Sequence, residues 1–277
     1  MAPTHPRRWR RLLVAALLVL AFATVLSFLP RTLLYPAPMV RVPPPPPLWS
    51  EVVIPLPNGG QLHGWWREGS GHLVLLFFHG NGENLGTMAN SPFLEQLASL
   101  GAAALVVDYP GYGRSPGRPC EAALHAAADA ALNWVEEHAG GGSVLAWGWS
   151  LGAAVAIPLA ARSGERLAGL IAASPWTRLE DVATEHFPRF LVRLLLTERY
   201  DSLAAAAAVR LPALVLHGGQ DHIIPAHHGR RVAAALAGPT RYVEVSGAGH
   251  NDLFSHPQAW REVAHFLAAI GQDSAFP

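Results

Sequence analysis

Residues 144–156 read VLAWGWSLGAAVA: an apolar run of β type, a serine bracketed by glycines, and a run of small residues of helical type. Within it, GWSLG sets Ser150 between Gly148 and Gly152. With 26 glycines in a chain of 277 residues, composition alone produces a G-x-S-x-G match in roughly one chain in eight, so the pattern by itself decides little. The flanks decide more. VLAWG reads as a strand and LGAAVAIPLAARS as a helix, so Ser150 falls at the turn between them. A serine at such a turn is forced toward an uncommon backbone conformation, and side chains two positions before and after it would clash. Glycine at 148 and 152 removes those clashes. The helix then starts at Leu151, whose amide has no partner inside the helix and is aided by the helix dipole in stabilising negative charge on a substrate oxygen.

On either side of this turn the chain alternates short apolar runs with longer amphipathic or alanine-rich ones. LVLLFF (73–78), AALVVDY (103–109), SVLAWG (143–148), LAGLIAAS (167–174), ALVLHG (213–218) and RYVEVS (241–246) are near-continuous β-type runs, the pattern of strands buried on both faces. Candidate helices fall at about 91–100, 120–138, 151–163, 226–237 and 256–270. EVVIPL and QLHGWWRE, joined by Pro57-Asn58-Gly59-Gly60, predict a hairpin. The expected fold class is therefore α/β: a mostly parallel, doubly wound sheet with helices on both faces and an antiparallel start. Residues 175–210 are too long for one crossover and carry FLVRLLL. This interval is expected to form either a small lid or a helical elaboration beside the carboxyl ends of the strands, where open α/β sheets bind ligands.

A serine hydroxyl is a poor nucleophile unless a base takes its proton, and the base needs an acid to orient it. Position has to select among 14 histidines. His250, in GAGHND, follows the last strand, and Asp221, in HGGQDHIIP, follows the strand at 213–218. Ser150, Asp221 and His250 thus come in the order nucleophile, acid, base, each at the carboxyl end of a strand. The second oxyanion donor beside Leu151 is expected in FFHGNGEN, at the amide of Asn81, with Gly80 and Gly82 allowing close approach and His79 bracing the loop.

Other residues compete for roles. His217, His222, His227 and His228 crowd Asp221, but their spacing follows no familiar zinc pattern and the strand-end position already accounts for Asp221, so no metal is assigned. Asp252 is poorly placed to orient a histidine of its own loop, and Asp108 is expected to fix a turn. Trp147 reads as core, Trp149 as facing either the site or the sheet, and Cys120 as a buried helix-start residue with no base placed beside it.

Only 14% of the residues are charged, all 20 basic ones are arginine and the net charge is zero, which gives no indication of nucleic-acid binding. The single cysteine excludes an intrachain disulfide. A basic segment, 1–11, precedes the uncharged run LLVAALLVLAFATVLSFL at 12–29. Eighteen residues as a helix span about 27 Å, close to the ~30 Å of a bilayer core. A transmembrane anchor is expected there, with four arginines placing the N-terminus in the cytosol and the remainder exported. The alternative is a signal sequence cleaved near Ala21-Phe22-Ala23, leaving a secreted or periplasmic protein. Residues 30–50, with five consecutive prolines at 43–47, are expected to be a stiff spacer ahead of a catalytic domain at 51–277; a Pro-rich edge wrapping the domain is the rival before Pro43.

FFHGNGEN, VVDYPGYGRSPGRPCE, AWGWSLGAAVA, SPWTRLEDVA, LHGGQDHIIP and GAGHND, in this order, resemble the α/β-hydrolase superfamily. They are similar above all to its small membrane-tethered ABHD/Bem-like branch, akin to dienelactone hydrolases and prolyl-oligopeptidase catalytic domains. The resemblance covers about residues 50–270. It implies a serine hydrolase of esters or thioesters, acting on a small or lipid-like acyl substrate, with Ser150, Asp221 and His250 as triad, Asn81 and Leu151 as oxyanion donors, and no cofactor. Where the family often has HGNAGN this chain has HGNGEN, and it lacks the N-terminal cysteines on which protein-deacylating relatives rely. Depalmitoylation therefore does not carry over. A membrane-tethered serine peptidase and a non-catalytic interaction module are the alternative expectations.

Overall fold

The structure is a computed structural model that describes residues 34–271 apart from Asn58. The basic segment 1–11 and the apolar run 12–29 lie outside the described residues. Among those described, no helix is long and apolar enough to cross a membrane.

Eight strands, β1 (Ser50–Pro55), β2 (Gln61–Arg67), β3 (Leu73–Phe78), β4 (Ala103–Val107), β5 (Ser143–Trp149), β6 (Gly169–Ala173), β7 (Ala213–Gly218) and β8 (Thr240–Val245), form one sheet in the order β1-β2-β4-β3-β5-β6-β7-β8. β1 and β2 are the antiparallel hairpin that the turn residues predict, with Ile54 opposite Leu62. β2 also runs antiparallel to β4, and every later pair is parallel. The strand order reverses at β3, which pairs with β4 on one side and β5 on the other. Such a reversal opens a crevice at the carboxyl ends of the two flanking strands.

The continuous apolar runs are explained by the pleat, which sends alternate residues to opposite faces. From β3, Val74, Leu76 and Phe78 join a core with Leu124 and Leu132 of α3 (Glu121–His138) and Val155 of α4 (Leu151–Ser163). Leu75 and Phe77 join a second core with Leu85 of α1 (Leu85–Ala89), Leu97 of α2 (Phe93–Ser99) and Phe266 of α9 (Pro257–Gly271). The first of these helices, α1, is not foreshadowed by periodicity, because five residues cannot display one. It rests on a reciprocal cap: the Asn84 side chain accepts the Thr87 amide at 2.8 Å and the Asn84 amide donates to the Thr87 hydroxyl at 2.8 Å.

Two segments sharpen the expectations. The proline-rich stretch does not stand off from the domain where it is described: Tyr35, Val42 and Trp49 are buried. Asn84 Nδ2 donates to the carbonyls of Pro38 and Val40, and the Tyr35 and Tyr200 hydroxyls lie 2.8 Å apart. The interval 175–210 folds as three short helices, α5 (Leu179–His186), α6 (Arg189–Leu195) and α7 (Ser202–Ala206). Its end is tied to α3, since Glu121 accepts the amides of Arg199 and Tyr200 at 2.8 and 2.9 Å. Leu179, Val182 and Val192 face inward, whereas Phe187, Phe190 and Leu194 are 63%, 70% and 70% exposed. One further helix, α8 (Ala226–Ala235), joins β7 to β8.

Candidate active site

Ser150 joins β5 to α4 with φ 56° and ψ −113°, a left-handed conformation that a side-chain-bearing residue adopts only under constraint. The constraint is visible. The Ser150 amide donates to Ala173 of β6 at 2.9 Å. A Cβ on Gly148 would collide with the Gly152 carbonyl, and one on Gly152 with the carbonyls of Phe78 and His79. The two glycines thus let the turn press against the end of β3.

His250 Nε2 lies 2.9 Å from Ser150 Oγ, and His250 Nδ1 lies 2.7 Å from Asp221 Oδ2. The three residues, 100 and 29 positions apart in sequence, form one hydrogen-bonded line and are all buried. The second carboxylate oxygen of Asp221 accepts the amides of Ile223 and Ile224 at 2.9 and 2.7 Å. His217 Nε2 donates to the Ile224 carbonyl at 2.7 Å and stands 3.4 Å from Asp221 Oδ2. Burial by itself raises the pKa of Asp221. The nearby His217 and the hydrogen bonds from His250 and the Ile224 amide outweigh it and hold the carboxyl well below the usual carboxylate range. An ionised Asp221 fixes the imidazole with its Nδ1 hydrogen toward the acid and its Nε2 lone pair toward the serine hydroxyl.

Asn81 and Leu151 both line the cavity at Ser150. Among the described residues neither backbone amide donates a hydrogen bond, so both remain available to an oxygen of a bound group. The Asn81 side chain is occupied elsewhere, donating to the Leu34 carbonyl and accepting from the Tyr112 hydroxyl at 2.6 Å. His79 braces the loop, with Nδ1 donating to the Gly80 carbonyl at 2.8 Å and its own carbonyl accepting from the Tyr109 hydroxyl.

Sequence reasoning missed Glu83. Its carboxylate accepts the Gly80 amide at 2.8 Å while its amide donates to the Gly80 carbonyl at 3.3 Å, which closes the loop on itself. Burial pushes the Glu83 pKa up, with His79, the Gly80 amide and His250 pulling the other way. The signal in the sequence is the acidic residue of HGNGEN.

The cavity has a volume of about 700 Å³. One wall is Leu179, Val182, Ala183 and Phe187, from the interval left open between lid and elaboration; Trp149, Ile223 and Leu34 contribute elsewhere. Trp147 is wholly buried against Phe77 and Phe254, whereas Trp149 both lines the cavity and packs edge-on against Phe254. Asp108 accepts the amide of Leu85 at the start of α1, and Asp252 accepts the Gly249 amide within its own loop. Cys120 sits at the N-cap of α3, partly exposed rather than buried. The four histidines near Asp221 do not converge: His217 turns to Asp221 and Ile224, His222 is exposed, and His227 and His228 approach Glu185.

A profile of the alpha/beta hydrolase fold matches residues 74–198, from β3 through α6. An uncharacterised Mycobacterium tuberculosis protein, Rv2307c, is 37% identical over 258 residues, 89% of this chain and 90% of its own length. Lysophosphatidylserine lipase ABHD12 of Mus musculus is 29% identical over 243 residues, and the match spans 73% of this chain but only 61% of the lipase. Among solved structures, the Pyrococcus furiosus esterase Pf2001 superposes with a TM-score of 0.69 at 17% identity, covering 84% of this chain and 98% of the esterase. With the profile match, the similarity along nearly the whole chain, and the reversal of strand order beside a strained serine, the chain belongs to the α/β-hydrolase superfamily and is a hydrolase.

Proposed function

We propose that the protein is a membrane-tethered serine hydrolase that cleaves carboxylic esters or thioesters through an acyl-enzyme on Ser150. The observation that carries this reading is the line of two short hydrogen bonds from Ser150 Oγ through His250 to Asp221, built on a serine with positive φ. As Ser150 Oγ attacks the acyl carbon, its proton passes to His250 Nε2 and the carbonyl oxygen takes the charge opposite the amides of Asn81 and Leu151. Collapse expels the alcohol or thiol, which leaves with the proton from His250. Water then attacks the acyl-enzyme, gives its proton to the same nitrogen and regenerates the serine as the acid departs.

The chemistry of the surroundings favours an acyl chain over a peptide. The cavity wall is largely apolar and includes the exposed Phe187 and Ile223, and Phe190 and Leu194 of α6, the helix that follows Phe187 in sequence, are exposed as well. Leu34, five peptide steps after the end of the expected membrane span at residue 29, lines the same cavity. Five steps reach at most about 18 Å, so a tether at that point would hold the mouth against the bilayer. A similar protein named as a lysophosphatidylserine lipase agrees with a substrate drawn from a lipid surface. With the arginines of segment 1–11 in the cytosol, the domain faces the exported side.

An active-site fluorophosphonate is expected to label the wild type and not Ser150→Ala, and a panel of acyl esters to be turned over where peptide amides are not. Equal labelling of both proteins would remove Ser150 as the nucleophile. No labelling of the folded wild type would favour an interaction module.

A further inference from the structure

Glu185 of α5 and His227 and His228 of α8 bring three metal-ligating atoms within 4.8 Å of one another, outside the catalytic cavity's triad. Glu185 Oε1 stands 3.6 Å from His227 Nε2 and 3.9 Å from His228 Nε2, too far for hydrogen bonds. The two imidazoles are stacked at 4.3 Å. Glu185 and His227 are exposed, whereas His228 is 1% exposed.

The hydrogens around His228 can be counted. Thr177 Oγ1 donates to Asp181 Oδ2 at 2.7 Å and also lies 2.9 Å from His228 Nδ1. A hydroxyl carries one hydrogen, so the hydrogen of the second contact belongs to Nδ1. The Thr177 amide also approaches Nδ1, at 3.3 Å. Giving it that bond would require a lone pair on Nδ1 and would set two lone pairs against each other across the shorter contact. A second hydrogen on this buried ring would be an unpaired buried charge with no acceptor at hydrogen-bond distance. Nε2 is then a buried lone pair with no partner among the described residues, aimed at a carboxylate that is itself an acceptor. A donor water or a cation would reconcile the two. Only a cation also uses the His227 nitrogen.

We propose that Glu185, His227 and His228 bind a divalent metal of the zinc class, with water in the remaining position, oriented by the relay His228–Thr177–Asp181. Two imidazoles and one carboxylate select zinc, cobalt, nickel or copper over calcium and magnesium. Zinc bonds of about 2.0–2.2 Å place ligand atoms roughly 3.3 Å apart, a closure that the exposed Glu185 and His227 side chains supply by rotation while His228 stays fixed. The outward Nδ1–H given to a hydroxyl that is in turn bonded to a carboxylate is the arrangement that orients metal-bound histidines. The metal would join α5 to α8. Val182 and Ala183 of α5 line the catalytic cavity, so its occupancy would hold that wall in place.

The test uses the untagged full-length chain, stripped with a chelator and titrated with Zn²⁺ and Co²⁺. One equivalent is expected to bind, Co²⁺ giving the visible absorption of a four-coordinate nitrogen–oxygen site. Glu185→Gln and His227→Ala, both at exposed positions, are each expected to weaken Zn²⁺ binding about tenfold or more, and Thr177→Val, which would touch no metal, by about 10–100-fold. Zn²⁺ is expected to slow amide exchange across residues 179–195 in the wild type and not in Glu185→Gln. The proposal is overturned if the Glu185→Gln/His227→Ala double variant takes up Zn²⁺ as the wild type does, or if Thr177→Val leaves the affinity unchanged in a folded protein. None of these readouts depends on the reaction at Ser150.

Discussion

The carbonyl oxygen of Phe78, at the end of β3, occupies the place that a side chain on Gly152 would need. The obstacle is backbone on both sides, so no rotamer change relieves it. Gly152→Ala is expected to cost about 3 kcal/mol, the upper part of the overpacking range. For a domain of this size that lowers Tm by roughly 6–12 °C. Gly82→Ala, where an added Cβ meets nothing within 4 Å, is expected to stay within about 0.5 kcal/mol. Thermal unfolding of the two variants checks the contrast; equal losses would mean that the close approach at the elbow is not what requires glycine.

Asp221 sets the tautomer of His250 through a 2.7 Å hydrogen bond. Asp221→Asn preserves the shape and presents an amide that can turn its N–H toward the ring. The expected result is a kcat lower by about 10⁴, the scale seen when the acid of a comparable triad is neutralised. Steady-state turnover of a chromogenic ester gives the number, and a loss below tenfold would argue that another group orients the base.

The same carboxyl is held below its ordinary pKa in the folded protein, so its contribution to stability has a definite sign. It is fully present above the unfolded value of about 3.9 and is lost as pH falls from there through the lower folded value. Urea midpoints of the wild type should therefore drop more steeply below about pH 4 than those of Asp221→Asn. The gap between the two proteins narrows with acid. Parallel curves would show that Asp221 contributes nothing to the acid limb.

Phe190 and Leu194 project from α6 at 70% exposure each and do not line the cavity. If this face meets lipid, Phe190→Ser/Leu194→Ser in the full-length chain, reconstituted in vesicles, should lower the rate on a membrane-borne ester about tenfold or more, since each large apolar side chain is worth roughly 1.5–3 kcal/mol when buried. The rate on a short soluble ester in the same vesicles should change less than twofold. A proportional fall on both substrates would point instead to a damaged fold.

Much of this arrangement could be read along the chain because its signals are local. A strand covered on both faces is apolar at every position, so β3 and β7 were delimited to the residue, and the glycines around Ser150 announce a turn that only small neighbours permit. Asp221 and His250 could be picked out because each follows a strand, in the order expected of an acid and a base after Ser150, and the fold brings both into one hydrogen-bonded line with it. By contrast, α1 is too short for a period to show, and Glu83 acts through a turn of four residues that has no hydrophobic signature.

By itself, then, the sequence determined the strands and the longer helices, where the strained serine falls, and which acid and base could stand in line for it. All of these follow from side-chain periodicity and from backbone sterics within a few residues. Only the tertiary structure decided that the strand order reverses at β3, that α5 walls the cavity, that residues 34–49 lie along the domain, and that His228 turns its free nitrogen toward Glu185 rather than Asp221. Those outcomes depend on how distant surfaces dock, and docking is set by the shape and hydrogen-bonding needs of both partners at once, which no single stretch of chain carries.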